Sequence, residues 1–73
     1  MDDILYVLRE TLASKQLGRP IYFQLQTRIG PCNTSNPHDA QRFTTQAEAK
    51  ACPAYAHPLC SYVVEPAPEV THG

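Results

Sequence analysis

Cysteine and histidine are the residues here with the most chemistry to offer: Cys32, His38, Cys52, His57 and Cys60. Zinc takes four such ligands, usually as two tight pairs of the C-x-x-C or H-x-x-x-H kind. Cys52, His57 and Cys60 are close in sequence, but no C-x-x-C pair exists and Cys32 is remote. The spacing therefore predicts no bound metal. Three cysteines cannot all pair within one chain, so the default in a reducing compartment is free thiols. A cysteine nucleophile needs a histidine base in hydrogen-bond reach and a third group to orient that base. His57 and Cys60 are near enough in sequence to approach, yet nothing beside them marks an oxyanion site. With no catalytic motif elsewhere, the expectation is a protein that is not an enzyme and carries no cofactor.

Contact chemistry is better represented. Tyr and Arg dominate the energetics of protein interfaces, and Tyr6, Arg9, Tyr22, Arg28 and Tyr55 are the candidate protein-binding residues. Tyr22 and Arg28, with Gln24 and Gln26, also fall on one side of a two-residue alternation. An aromatic and a cation on an open sheet face can stack single-stranded bases. A small nucleic-acid-binding module, zinc-stabilised or sheet-based, is therefore the alternative reading. Six Lys and Arg against seven Asp and Glu give a net charge of −1, which argues against it. A chain of 73 residues has little room for a closed ligand cavity, so a protein contact is the more natural function than a small-molecule site.

The elements that must position these residues are centred on residues 21–28, IYFQLQTR, entered through Pro20. Ile21, Phe23 and Leu25 alternate with Tyr22, Gln24, Gln26 and Arg28, as in a strand with one buried and one open face. Ahead of it, Met1, Ile4, Leu5, Leu8 and Leu12 recur at helical spacing. They predict an N-terminal helix capped by Asp2 and Asp3, with Lys15 in its last turn and Gly18 as a left-handed C-cap. On that helix Tyr6 and Arg9 lie opposite the apolar stripe. Residues 30–41, GPCNTSNPHDAQ, have loop composition. A short strand over 41–44 with Phe43 inward follows. Thr45 and Glu48 form a T-x-x-E capping box for a short helix, Gln46–Ala51, stopped by Pro53. Residues 61–65, SYVVE, read as a third strand whose facing the pattern leaves open.

The expected fold is thus α+β, in the order α-β-β-α-β. The N-terminal helix would pack on a three-stranded, mostly antiparallel sheet. Residues 1–65 form one small binding domain and residues 66–73 a flexible Pro-rich tail. The two acids near the start do not fit a secretory signal. No apolar run approaches the roughly 18 residues of a membrane span, which predicts a cytoplasmic protein with no membrane contact.

From MDDILYVLRE through the 73-residue length to the Pro-rich acidic end, the chain resembles the small transcription regulators of lytic Xanthomonas phages that bind host RNA polymerase. The resemblance spans the whole chain and rests on no diagnostic motif. It implies a monomeric, non-enzymatic protein of the host bacterial cytoplasm that contacts the β and β′ subunits of bacterial RNA polymerase. Such a protein displaces the σ factor to inhibit initiation. It also promotes read-through of terminators with a Nus-type elongation factor, and meets nucleic acid only indirectly, through polymerase.

Overall fold

The apolar repeat at the N-terminus does not form one helix. In the computed structural model, which describes residues 4–68, it is split at Glu10. Residues Tyr6–Glu10 form strand β1 and Thr11–Leu17 form helix α1. The physical reason lies in what each half can bury. Val7 and Leu8 are both fully buried, on opposite faces of a strand, whereas α1 buries no residue. Leu12, counted in the helical stripe, is 56% exposed and Ile4 is exposed too. Met1 and the expected caps Asp2 and Asp3 lie outside the described residues. The helix is capped instead by Glu10, and closes as expected at Gly18, whose φ of 67° is the left-handed conformation that glycine adopts without strain.

The remaining strands are β2 (Tyr22–Thr27), β3 (Gly30–Thr34) and β4 (Tyr62–Pro66). They build a four-stranded antiparallel sheet in the order β3-β2-β1-β4, not a three-stranded one. β3 comes from the segment with loop composition. It pairs with β2 through a tight turn at Arg28 and Ile29, where the Thr27 hydroxyl donates to the Gly30 carbonyl at 2.5 Å. Gly30 takes φ 136°, a conformation closed to other residues without strain. Pro31 and Asn33 are tolerated because β3 is an edge strand. The strand expected over 41–44 reduces to one bridge between Tyr6 and Phe43, with backbone hydrogen bonds of 2.8 Å in each direction. Phe43 does point to the core.

The two-residue alternation of the central strand holds for only part of its length. Phe23 opposes Asn33 and Leu25 opposes Cys32, so β2 advances two residues while β3 advances one. Such a bulge shifts the side-chain phase, and Leu25 ends 46% exposed where burial was expected. Tyr22, expected on the open face, is buried because that face is covered as well.

Both faces of the sheet therefore carry core. On one, Leu8, Phe23 and Tyr62 meet Ala49 and Ala54, with Phe43, Tyr55 and Val64 packed around them. The covering layer is helix α2 (Gln46–Ala51) and a 3-10 turn, Pro53–Ala56, not the N-terminal helix. Fully buried alanines let this layer lie close against β1 and β2. Thr45 caps α2 as expected, its hydroxyl accepting from the Glu48 N–H at 3.0 Å. The Glu48 carboxylate reaches back to the N–H and hydroxyl of Thr44, hydrogen bonds that hold it below the usual carboxylate range. On the other face, Val7, Tyr22 and Ala40 pack with Ala67. β4 settles the facing of SYVVE: Tyr62 and Val64 turn to the α2 side and Val63 to the other, where it is partly exposed. Pairing continues through Pro66, and the Ala67 N–H donates to the Leu5 carbonyl at 2.7 Å. The Pro-rich end thus starts as part of the sheet. Residues 69–73 lie outside the described residues.

The strand-then-helix arrangement separates two leucines that a single helix would treat alike. Leu8→Ala should cost about 2–5 kcal/mol, and Leu12→Ala less than about 0.5 kcal/mol. Equal losses in chemical denaturation would refute the strand. A second test uses Tyr62, whose phenol donates to Asn33 Oδ1 and whose ring meets Phe23 edge-on at 6.1 Å. Burial, reinforced by Cys60, raises its pKa above the ordinary 10.0. The folded state then keeps a proton that the unfolded state releases, so this contribution is complete below pH 10 and is lost as pH rises beyond it. Stability of the wild type should fall more steeply above pH 10 than that of Tyr62→Phe. Parallel slopes would contradict the assignment.

Candidate functional site

One residue organises the surface that α1 shares with the sheet. Glu10 is the last residue of β1 and is only 4% exposed. A buried carboxylate must be hydrogen-bonded or it costs several kcal/mol. Here Oε1 accepts from the N–H groups of Leu12 (2.6 Å) and Ala13 (3.1 Å), and Oε2 from that of Ser61 (2.6 Å). The first two donors are the orphan amides of a helix start, so the side chain acts as an N-cap from the end of a strand. The Glu10 carbonyl accepts from the Ser14 hydroxyl at 2.6 Å, and that hydroxyl accepts from the Ile21 N–H at 2.8 Å. The Glu10 N–H donates to the Ile21 carbonyl at 2.8 Å. Thr11 donates twice to the Ser61 carbonyl, from its N–H (2.7 Å) and its hydroxyl (3.0 Å).

This knot fixes α1 beside the start of β2, and an open cleft of about 380 Å³ lies between them and β4. Arg9, Lys15 and Arg19 line it, with Glu65 as the one carboxylate among the described residues. Arg9 Nε donates to Glu65 Oε2 at 2.9 Å, with both side chains about a third exposed. A pair so exposed is worth at most about 1 kcal/mol. Tyr22 stands opposite Arg9 in the sheet. Its pKa is raised, chiefly by burial, then by the charge of Glu65, with Arg9 opposing.

A second surface lies at the other end of β2. The tip of the β2–β3 hairpin presents Arg28 and Ile29, the latter 97% exposed. The His57 ring lies near the start of β3, its Nε2 3.7 Å from where a Cβ on Gly30 would stand. The turn after His57 is held by the Leu59 N–H donating to His57 Nδ1 at 3.2 Å, and it presents Leu59, 83% exposed. An apolar side chain as exposed as Ile29, beside an arginine, has the composition of a protein contact.

Of the five candidate contact residues, the structure brings only Arg9 and Tyr22 together. Tyr22 is buried and Tyr6 is tied to Phe43 and Pro66. In a strand Tyr6 also shares the face of Leu8, opposite Arg9, so the two do not form the common helical surface that the repeat predicts. Tyr55 is half-buried against the α2-side core. Arg28 alone is on an exposed tip. Cys32 is exposed on β3, Cys52 and Cys60 are half-buried against the core, and no disulfide joins them. Among the described residues no group of three or more His, Cys, Asp or Glu is arranged to hold a metal ion, and no helix is long and apolar enough to cross a membrane.

Sequence reasoning missed Lys15, Arg19, Ile29 and Leu59. The first two had a signal: Arg9, Lys15 and Arg19 are half of the six cations of the chain, crowded ahead of the central strand. Ile29 beyond the alternating run was a weaker one. Compared with protein-family models, curated proteins and solved structures, the chain has no match.

If the Glu10 carboxylate positions α1 and β4, then Glu10→Gln should cost about 1–3 kcal/mol, the range for a buried amide left without its acceptor. Urea denaturation should show a lower midpoint at unchanged slope. A midpoint equal to that of the wild type would remove the carboxylate from that role.

Proposed function

We infer that this protein is a non-enzymatic regulator of transcription that binds bacterial RNA polymerase through the hairpin end of its sheet. The reading joins the full-length resemblance to phage polymerase-binding regulators with one observation: Ile29 stands almost fully exposed at the tip of the β2–β3 hairpin, beside Arg28. Desolvating such side chains against a partner contributes about 25 cal/mol per Å² of apolar area removed from water. The hairpin that carries Ile29 is held by the pairing of β3 with β2 and by the Thr27 hydroxyl at its turn, so little ordering opposes binding. On this reading the protein meets the β and β′ subunits, displaces σ to inhibit initiation, and favours read-through of terminators together with a Nus-type factor.

The test is retention of purified bacterial RNA polymerase on the immobilised protein, followed by promoter-dependent transcription at rising σ concentration. The wild type should retain polymerase, and its inhibition should be relieved by σ and not by excess template. Ile29→Asp with Arg28→Glu should weaken retention by about thirtyfold or more, the loss typical of a central contact, while leaving the fold intact because both residues are exposed. Failure of the wild type to retain polymerase would end the proposal. Undiminished retention by the double variant would place the contact elsewhere.

A further inference from the structure

We propose that the cleft between α1, the entry to β2 and β4 binds a phosphate group, carried either by a small phosphate ester or by a nucleic-acid backbone. The inference stands independently of the polymerase reading. It starts from the distribution of charge. The protein has net charge −1, yet three of its six cations line this one cleft, and among the described residues Glu65 is the one carboxylate in its lining. Random scatter on a slightly acidic surface would mix the signs. The three cations also arrive from different places: Arg9 from β1, Lys15 from the last turn of α1, and Arg19 from the turn into β2. The hydrogen-bond knot around Glu10 and Ser14 fixes those elements relative to one another.

The donors fit this chemistry. Arg9 spends Nε on Glu65, which orients the guanidinium and leaves its terminal amino groups as a fork for two oxygens. Lys15 adds a mobile point charge, and Arg19, held between Gly18 and Pro20, adds a second guanidinium. The hydroxyls of Thr11 and Ser14 are already engaged, so the cations and not the hydroxyls would bind the anion. Among the described residues no aromatic side chain lines the cleft, so they offer no platform for stacking a base. Recognition is confined to the phosphate itself. A volume of about 380 Å³ admits one or two phosphate groups without enclosing them.

The experiment is an amide-resolved NMR titration of the full chain with pyrophosphate and, separately, with a short oligouridylate, against sodium chloride at matched ionic strength. Saturable shifts at the Gly18 and Arg19 amides are expected with at least one probe and not with chloride. Tighter binding of pyrophosphate assigns the cleft to small phosphate esters. Tighter binding of the oligonucleotide, weakening steeply with salt, assigns it to a nucleic-acid backbone. Lys15→Gln with Arg19→Gln, both at exposed positions, should weaken either interaction by at least about tenfold, the equivalent of one charge-assisted hydrogen bond. Shifts no larger than those from chloride, or a folded double variant that binds as well as the wild type, would overturn the proposal. The wild-type titration decides the matter alone should the double variant not fold.

Discussion

The carboxylate of Glu10 is the point on which the structure depends. A domain of 73 residues has too little apolar surface to hold its elements by burial alone with a wide margin. Here one buried side chain joins the end of β1, the start of α1 and the approach to β4 through three amide hydrogen bonds. Its backbone, with Ser14, adds the entry to β2. Three consecutive elements and the remote β4 thus share one network, whose bonds to the Glu10 carboxylate are charge-assisted. Such bonds are roughly twice as strong as neutral ones and far less tolerant of displacement. No buried side-chain polar atom among the described residues lacks a partner, so the network satisfies the groups it buries.

The network also explains why so short a chain can cover both faces of its sheet. β1 is central, and its two fully buried residues, Val7 and Leu8, point to opposite faces. The α2 layer covers one face and the segment around Ala40, with Ala67, covers the other. With both faces occupied, the elements left at the rim are α1, the hairpin tip and the turn after His57. These hold Leu12, Leu17, Ile29 and Leu59, together with Lys15 and Arg28. The exposed chemistry is peripheral because the sheet has no free face to offer.

This division accounts for what was legible in the sequence. Signals that depend on a few adjacent residues survived folding: Gly18 as a left-handed cap, Thr45 as the cap of α2, and 61–65 as a strand. Signals that assume one buried face did not. The repeat of Ile4, Leu5, Leu8 and Leu12 fits a helix, but a strand buried on both sides is continuously apolar, and YVL at positions 6–8 satisfies that pattern equally well. The bulge in β2 moved Leu25 outward and left no local signature, since no glycine marks it. β3 was hidden because an edge strand beside a tight turn tolerates Pro and Asn that would exclude a central one. Of the candidate contacts, Tyr22 and Tyr55 were drawn into the two cores, which is the common fate of an aromatic in a thin domain. Arg28 stayed exposed because a turn residue has nothing to pack against.

The two surfaces that remain are set apart by β2 itself. The cationic cleft lies where that strand begins and the apolar tip where it ends, six residues later. At about 3.3 Å per residue this is roughly 20 Å. Groups that far apart, joined by a strand paired along its length with β3, bind nearly independently, and substitutions at one end should add to those at the other. Their physics is also complementary. Cations act over about a Debye length and chiefly raise the rate of encounter with a negatively charged target. Exposed Ile and Leu act only on contact and chiefly slow dissociation. If both proposed contacts form, the cleft contributes through charge and the hairpin tip through apolar contact. Raising salt should then weaken the cleft contact strongly and the hairpin contact little, which is how the two contributions separate without any substitution.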